Sequence, residues 1–316
     1  MTTLDNAGPA GETGFDQILA FSLPERAARG RFVRLGPVLD EVLGAHDYSP
    51  PVRHLLAEAL VLTALMGALI KADQGQLTLQ AQVAHNRSQD DEGAISLLVC
   101  DYRAGELRGY VRHDPEKLAN HGSNIGLSDL FGHNAHLAIT FDLASTDGDT
   151  AAERYQGIVP LSGDTLSQAC EHYFRQSEQI PTLLRVAVQS DGRSTIAAGL
   201  LIQHVAEGEE GRERLHVRMD HPDWEHVATM GGSVRHAELV DPAISAEALI
   251  WRLFHEEDRI LIDTGAALER GCRCTAEYYS QVLARFPASE RADMREADGY
   301  IHVDCAFCSK LFRIDV

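Results

Sequence analysis

The chain is short of basic charge. Only 28 lysines and arginines stand against 47 acidic residues, a net charge of −19 over 316 residues. Non-specific nucleic-acid binding rests on basic contacts to phosphate, so no nucleic-acid partner is expected. Long apolar runs are missing too. The longest, Leu55 to Ile70, is sixteen residues and contains Glu58 and Thr63, short of the roughly 20 residues that span a bilayer. It reads as a buried core helix, and no membrane partner is expected. Met1 to Gly14 is small, polar and acidic, without the basic start and apolar stretch of an export signal, so a cytoplasmic location is expected. There is no P-loop, dinucleotide-binding glycine fingerprint, G-x-S-x-G elbow or H-E-x-x-H pair, and the chain is not expected to be an enzyme. Internal repeats and low-complexity tracts are lacking. Cysteines number only six, and a cytosolic chain keeps them reduced, which excludes a permanent disulfide framework.

What is present is concentrated at the end. Four of the six cysteines lie between residue 272 and the C-terminus: Cys272 and Cys274 form a Cys-x-Cys pair, Cys305 and Cys308 a Cys-x-x-Cys pair. Two short thiol pairs joined by an intervening segment supply the four sulfurs of a closed zinc site, or a redox thiol function, or both. The other two sit in apolar surroundings, Cys100 in a strand-like run and Cys170 on a helix face, and read as core thiols. His121, His133 and His136 read as exposed loop histidines. His302 stands near the cysteines, but four sulfurs already complete the set.

The rest divides by composition. Residues 1–14 read as a disordered tail. Residues 15–203 carry strand and helix patterns in irregular order, which predicts an α+β body and not a doubly wound parallel sheet. Its markers are a helix over about 52–71, with Ser49 as a cap and Pro50 and Pro51 in the first turn. The helix is apolar nearly all round and must be covered on several sides. Strand-like runs follow at 76–83, 94–102, 106–113, 137–143 and 154–161, then a helix over 165–178 and a hairpin of 183–189 and 195–203 through Asp191-Gly192. Residues 204–270 differ: they hold 15 acids and 7 arginines among 67 residues, and 207–214 is almost entirely charge and glycine. Helical apolar spacing survives at Leu249, Ile250, Leu253 and Phe254, with Ser245 as a cap. This segment is expected to be a metastable helical linker, folded onto a neighbour with little core of its own. Residues 271–316 form a small zinc-binding module of four cysteines, with a Thr275-capped helix, a second short helix after Pro287, and strands at 300–304 and 311–314. Tyr278, Tyr279 and Phe286 are expected in its core.

A module of this size has too small a core to be securely stable, so a bound zinc decides whether it is folded. Thiolates bind zinc, and thiolates are also what peroxide attacks. Each pair contains its own resolving thiol, and a disulfide between such near neighbours closes a tiny loop that stabilises little. Oxidation here is expected to release structure.

The chain contains HDYSPPVRHLLAEAL (46–60), GQLTLQAQ (75–82), ERYQGIVPLSGDTL (153–166), YFRQSEQIPTLL (173–184), AAGLLIQ (197–203), LIWRLFHEED (249–258), CRC (272–274) and CAFC (305–308). In these stretches it resembles the redox-regulated heat shock protein 33 family of chaperones. The resemblance implies an ATP-independent holdase for unfolded client proteins. When reduced, the protein would be monomeric and idle, with one zinc on Cys272, Cys274, Cys305 and Cys308. Oxidation would form Cys272–Cys274 and Cys305–Cys308 disulfides, release the zinc, unfold the linker and give an active homodimer. The family usually has glycine after the last cysteine, and Ser309 stands there instead, which bears on the turn and not on the ligand set. A thiol–disulfide oxidoreductase and an interaction protein with a constitutive structural zinc are the alternatives.

Overall fold

The computed structural model describes residues 2–4, 14–70, 75–83, 93–119, 125–143, 153–192, 194–205 and 220–316. In chain order the body contains β1 (Thr2–Thr3), β2 (Gln17–Leu23), β3 (Ala28–Leu35), α1 (Pro37–Leu43), α2 (Pro50–Gly67), β4 (Gly75–Val83), β5 (Ile95–Arg103) and β6 (Glu106–His113). It continues with α3 (Pro115–Ala119), α4 (Leu127–Phe131), β7 (Ala135–Leu143), β8 (Glu153–Pro160), α5 (Leu166–Tyr173), a π-helical turn (Phe174–Glu178), β9 (Thr182–Ser190) and β10 (Thr195–His204). Then come α6 (Pro222–Gly232), α7 (His236–Val240), α8 (Ala246–Phe254), β11 (Leu261–Ala267), β12 (Glu269–Arg270), α9 (Ala276–Leu283), α10 (Ala288–Met294), β13 (Ile301–Asp304) and β14 (Leu311–Ile314). Charged residues 207–214, His121 and most of the expected tail lie outside the described residues.

Two six-stranded sheets enclose α2. The first has the order β1-β11-β2-β3-β10-β9, the second β12-β6-β5-β4-β7-β8. Among the described residues, all pairings in these two sheets are antiparallel except β12 on β6. The helix touches β3, β9 and β10 on one side and β4, β5 and β6 on the other, so beyond its first turn, where His54 is exposed, it is buried all round from Leu55 to Gly67, as its apolar circumference requires. Its one carboxylate is accounted for: buried Glu58 accepts bonds from the Ser167 N–H (3.0 Å) and hydroxyl (2.7 Å) at the start of α5. Ser49 takes the N-cap position but makes no cap bond. Pro50 and Pro51 have no N–H to donate, so little is left to cap.

The first sheet is apolar on both faces. In β3, Val33 and Leu35 face α2, while Phe32 faces away; in β10, Ala197 and Leu201 face α2, while Ala198, Leu200 and Ile202 face away. The outward face is roofed by α6, α7 and α8, through Val227, Leu239, Val240, Leu249, Ile250, Leu253 and Phe254. Residues 220–270 of segment 204–270 therefore fold onto the body and share one apolar cluster with it. Ser245 caps α8, accepting the Ala248 N–H at 3.1 Å. Ser245→Ala is expected to cost about 1 kcal/mol and to speed amide exchange in 249–254, measured by mass spectrometry, with the exchange of α2 unchanged.

Two expectations need correction. Segment 204–270 is not helical throughout: β11 lies between β1 and β2 in the first sheet, and β12 adds to β6 in the second. The open edge of β2 needs a partner for its backbone groups, and the Ile260-Leu261-Ile262 run supplies a strand. Nor is the start of the 1–14 tail disordered. Thr2 and Thr3 pair with Ile262 and Leu261, the Leu4 N–H donates to the Ile260 carbonyl at 2.8 Å, and Leu4 is buried. β11 offers an edge, and the roof cluster takes in one more leucine.

Candidate metal centre

The four cysteines reach one point by two local devices. Gly271 leaves β12 with its N–H donated to the Leu107 carbonyl at 2.9 Å, which places Cys272 and Cys274 directly beyond the sheet edge. The strand passes so close to β6 that a Cβ on Gly271 would fall 2.4 Å from Glu106 Cβ, a position only glycine can hold. Thr275 then caps α9 by accepting the Tyr278 N–H at 3.1 Å. The second pair sits at the turn of the β13–β14 hairpin, where Ser309 and Cys308 both donate their N–H to the Cys305 carbonyl, at 2.8 and 3.2 Å. Ser309 has φ of 55°, the left-handed conformation that glycine holds without cost.

The sulfurs converge. Cys272 and Cys274 Sγ are 3.2 Å apart, Cys272 and Cys305 Sγ 3.6 Å, Cys274 and Cys308 Sγ 3.4 Å, and all four lie within 4.8 Å of one another. A disulfide needs about 2.05 Å, so all four are free thiols. Tetrahedral coordination with metal–sulfur bonds of about 2.3 Å sets the sulfurs roughly 3.8 Å apart. The four thiols fit that arrangement and can hold a metal ion. Burial opposes ionisation of Cys305, but the Tyr279 hydroxyl and the N–H groups of Phe307 and Cys308 outweigh it and bring this thiol down to about 7. Burial, reinforced by the neighbouring sulfurs, pushes Cys274 up, and burial also raises Cys308. A metal ion reverses this, since it favours the charged thiolate.

Cys100 and Cys170 stand apart from this cluster, fully buried in the body core, and burial pushes both thiols up. His133 and His136 do not join the cluster; His136 Nε2 takes an amide N–H from Gln82. His302 turns from the sulfurs to Asp298, at 2.9 Å. The module core is Leu283, Ile301, Cys305, Phe312 and Ile314, with Tyr279 against it. Tyr278 and Phe286 are corrected: they are 55% and 40% exposed, because α9 packs only one narrow stripe onto the hairpin and Phe286 lies beyond its C-terminal end.

Residues that hold the roof to the body were not legible as functional. Arg34 on β3 is buried and donates from Nε to the Leu239 carbonyl and from Nη1 to the Ile244 carbonyl, both at 2.9 Å. It caps the C-terminus of α7 from the opposite layer. Arg26 bridges Asp223 at the start of α6 and Glu257 after α8, each at 2.8 Å, and Glu257 also meets His226. Three arginines, Arg29, Arg31 and Arg34, in the otherwise apolar strand ARGRFVRL are the available signal, since a central strand has no solvent face to receive them.

Among the described residues, no helix is long and apolar enough to cross a membrane. The family model described as Hsp33 protein matches residues 16–315. The 33 kDa chaperonin of Caulobacter vibrioides (strain NA1000 / CB15N) is 38% identical over 308 residues, which cover 95% of each chain. That of Escherichia coli (strain K12 / DH10B) is 32% identical over 294 residues, 93% of this chain and 90% of the other. A solved 33 kDa chaperonin of Thermotoga maritima, described as a heat shock protein 33 homolog, aligns with a TM-score of 0.73 at 20% identity over 95% of this chain and 94% of that one, a likeness of fold.

Proposed function

This chain belongs to the Hsp33 family, and from that premise we propose that it is an ATP-independent holdase chaperone, idle when its four C-terminal thiols hold zinc and active once they are oxidised. The observation that carries the reading is continuity: the thiol cluster follows directly on β12, the end of the segment whose helices roof an apolar sheet face. Zinc, when bound, would hold Cys272, Cys274, Cys305 and Cys308 as thiolates and join two distant segments into one module. Residues 271–316 are the redox module, 204–270 the metastable linker and 15–203 the chaperone core.

One peroxide takes two electrons and two protons from a thiol pair, which becomes a disulfide, and leaves as two waters. Sulfur distances alone do not select partners, since 3.4 and 3.6 Å between the pairs compare with 3.2 Å inside one. Loop closure does select them: as the module opens, only Cys272 with Cys274, and Cys305 with Cys308, remain near in the chain. Each disulfide withdraws two ligands, and the module, with its five-residue buried core, loses its fold. β12 and the roof helices then loosen. Leu19, Phe21, Phe32, Leu200 and Ile202 become a surface for apolar segments of unfolding clients, and two such surfaces meet in the active homodimer. The reduced form is a monomer. The protein works in the cytoplasm, with unfolded proteins as partners and neither nucleic acid nor membrane among them.

The test follows zinc with a chelating dye during peroxide treatment under mild heat, and measures suppression of client aggregation before and after. Zinc release and holdase activity are expected to rise together. Equal activity in the reduced, zinc-loaded form sinks the proposal and favours a constitutive structural zinc. The alternative of a thiol–disulfide oxidoreductase draws on the Cys305 thiol at about 7, and predicts catalytic turnover of a substrate disulfide.

A further inference from the structure

The side chains that join the metal module to the body come from between the ligands. Arg273, inside Cys272-x-Cys274, donates from Nε to Glu106 at 3.2 Å and from Nη1 to Gln76 at 2.8 Å. Phe307, inside Cys305-x-x-Cys308, lies 4.1 Å from the Arg108 guanidinium and meets Tyr110 edge-on at 4.9 Å. The Phe307 carbonyl accepts from His46 Nε2 at 3.4 Å, which leaves Nδ1 as acceptor for the Ser309 hydroxyl at 3.0 Å. Glu106, Arg108 and Tyr110 are all on β6, the strand that β12 pairs with in parallel.

We propose that Arg273 and Phe307 are the docking residues that transmit the state of each cysteine pair to β6, and that β6 is a built receiving surface for this chain's own metal module. The proposal rests on the redox reading above and adds the route by which it reaches the linker. Two ligands that share one ion fix the backbone between them, and with it the direction of the intervening side chain. A disulfide draws the same two sulfurs to about 2.05 Å, so the backbone between them must turn and the intervening side chain must leave its partner. One sensor therefore sits in each pair, and both reach β6, Arg273 touching Gln76 on β4 as well.

The receiving side is fixed in advance. Arg108 is held by Asp101, with Nε and Nη2 at 2.8 and 2.6 Å from Oδ2, and Asp101 is buried and also accepts the Thr78 hydroxyl at 2.7 Å. An arginine so held presents a flat cationic face at little entropic cost, which suits an aromatic ring above it. When Phe307 and Arg273 leave, the Glu269 and Gly271 amides keep only their own bonds to the Gly105 and Leu107 carbonyls, at 3.0 and 2.9 Å. A two-residue parallel strand does not hold itself on an edge.

The test uses the full-length, reduced, zinc-loaded chain with no client present, so it is independent of holdase activity. Amide exchange at Glu269 and Gly271 and zinc stoichiometry are measured for Phe307→Leu, Phe307→Tyr and Arg273→Gln. Leucine keeps apolar bulk and lacks the ring; tyrosine keeps the ring. Exchange is expected to quicken on the order of tenfold in Phe307→Leu and Arg273→Gln, the scale of one partly exposed cation–π or ionic contact, with zinc unchanged and Phe307→Tyr restored. Unchanged exchange in both variants overturns the proposal. So does loss of zinc, which would make these side chains supports of the ligand set, and so does failure of tyrosine to restore protection.

Discussion

Replacing both Cys305 and Cys308 by serine is expected to abolish zinc retention by the reduced protein and to leave it active without oxidant. The site supplies four sulfurs within 4.8 Å, and the substitution removes two. Hydroxyls do not ionise to hold the metal, so most of an apparent binding energy of about 10–16 kcal/mol is lost. The module cannot compensate. Its hairpin is an isolated two-stranded sheet, marginal by itself, over the small core that Phe312 and Ile314 help to form. The body should stay folded, because its core around α2 is separate from that of the module. Metal analysis, amide exchange along 272–316 and an aggregation assay without peroxide check the three parts. A double-serine protein that keeps zinc, or that is idle without it, contradicts the expectation.

Arg34→Ala is expected to free the roof while leaving the metal in place. The guanidinium is buried beneath α7, and Nη2 has no partner among the described residues. Burial pushes its pKa down, opposed by Asp241, but arginine stays charged throughout the working pH range, so no pH window follows. Removing it leaves the Leu239 and Ile244 carbonyls dry and opens space under the α7–α8 junction. Two charge-assisted bonds at about 1.5–3 kcal/mol each, reduced by partial hydration, suggest a loss of about 3 kcal/mol, roughly a hundredfold rise in the open population. Amide exchange in 236–254 should rise, apolar-dye binding should increase in the reduced form, and zinc content should not change. Unaltered exchange would show that Arg34 only fills space. Together the two variants separate the metal module from the roof it is proposed to restrain: the first is expected to remove metal and then cover, the second cover alone.

Local patterns carried much of the architecture. The edges of β6 and β14 agree with the alternation of their residues, and the Thr275 and Ser245 caps make the bonds their positions suggest. Residues 15–49, by contrast, show no pattern that identifies β2, β3 and α1. The strands β2 and β3 are apolar on both sides in places, β3 is interrupted by Arg29, Arg31 and Arg34, and alternation weakens where a strand is covered twice. The same applies to Thr195–Gln203: its near-continuous apolar run is itself a sign that a second layer must cover it. The 261–270 strands were hidden by the neighbouring charge-rich composition and the helical spacing of 249–254.

By itself, the sequence determined the chemistry: four thiols in two pairs, a buried apolar helix and a charged segment between body and module. Those follow from residue type and spacing, which are local. The tertiary structure alone decided that the charged segment is a roof with strands in both sheets, that Arg34 and Arg26 hold it from below, and that Arg273 and Phe307 turn outward onto β6. Each of these depends on contacts between residues far apart in the chain, such as 26 with 223 and 257, 34 with 239, and 108 with 307. No local periodicity encodes such distances; only packing two sheets around α2, and one more layer over the first sheet, brings those side chains within reach.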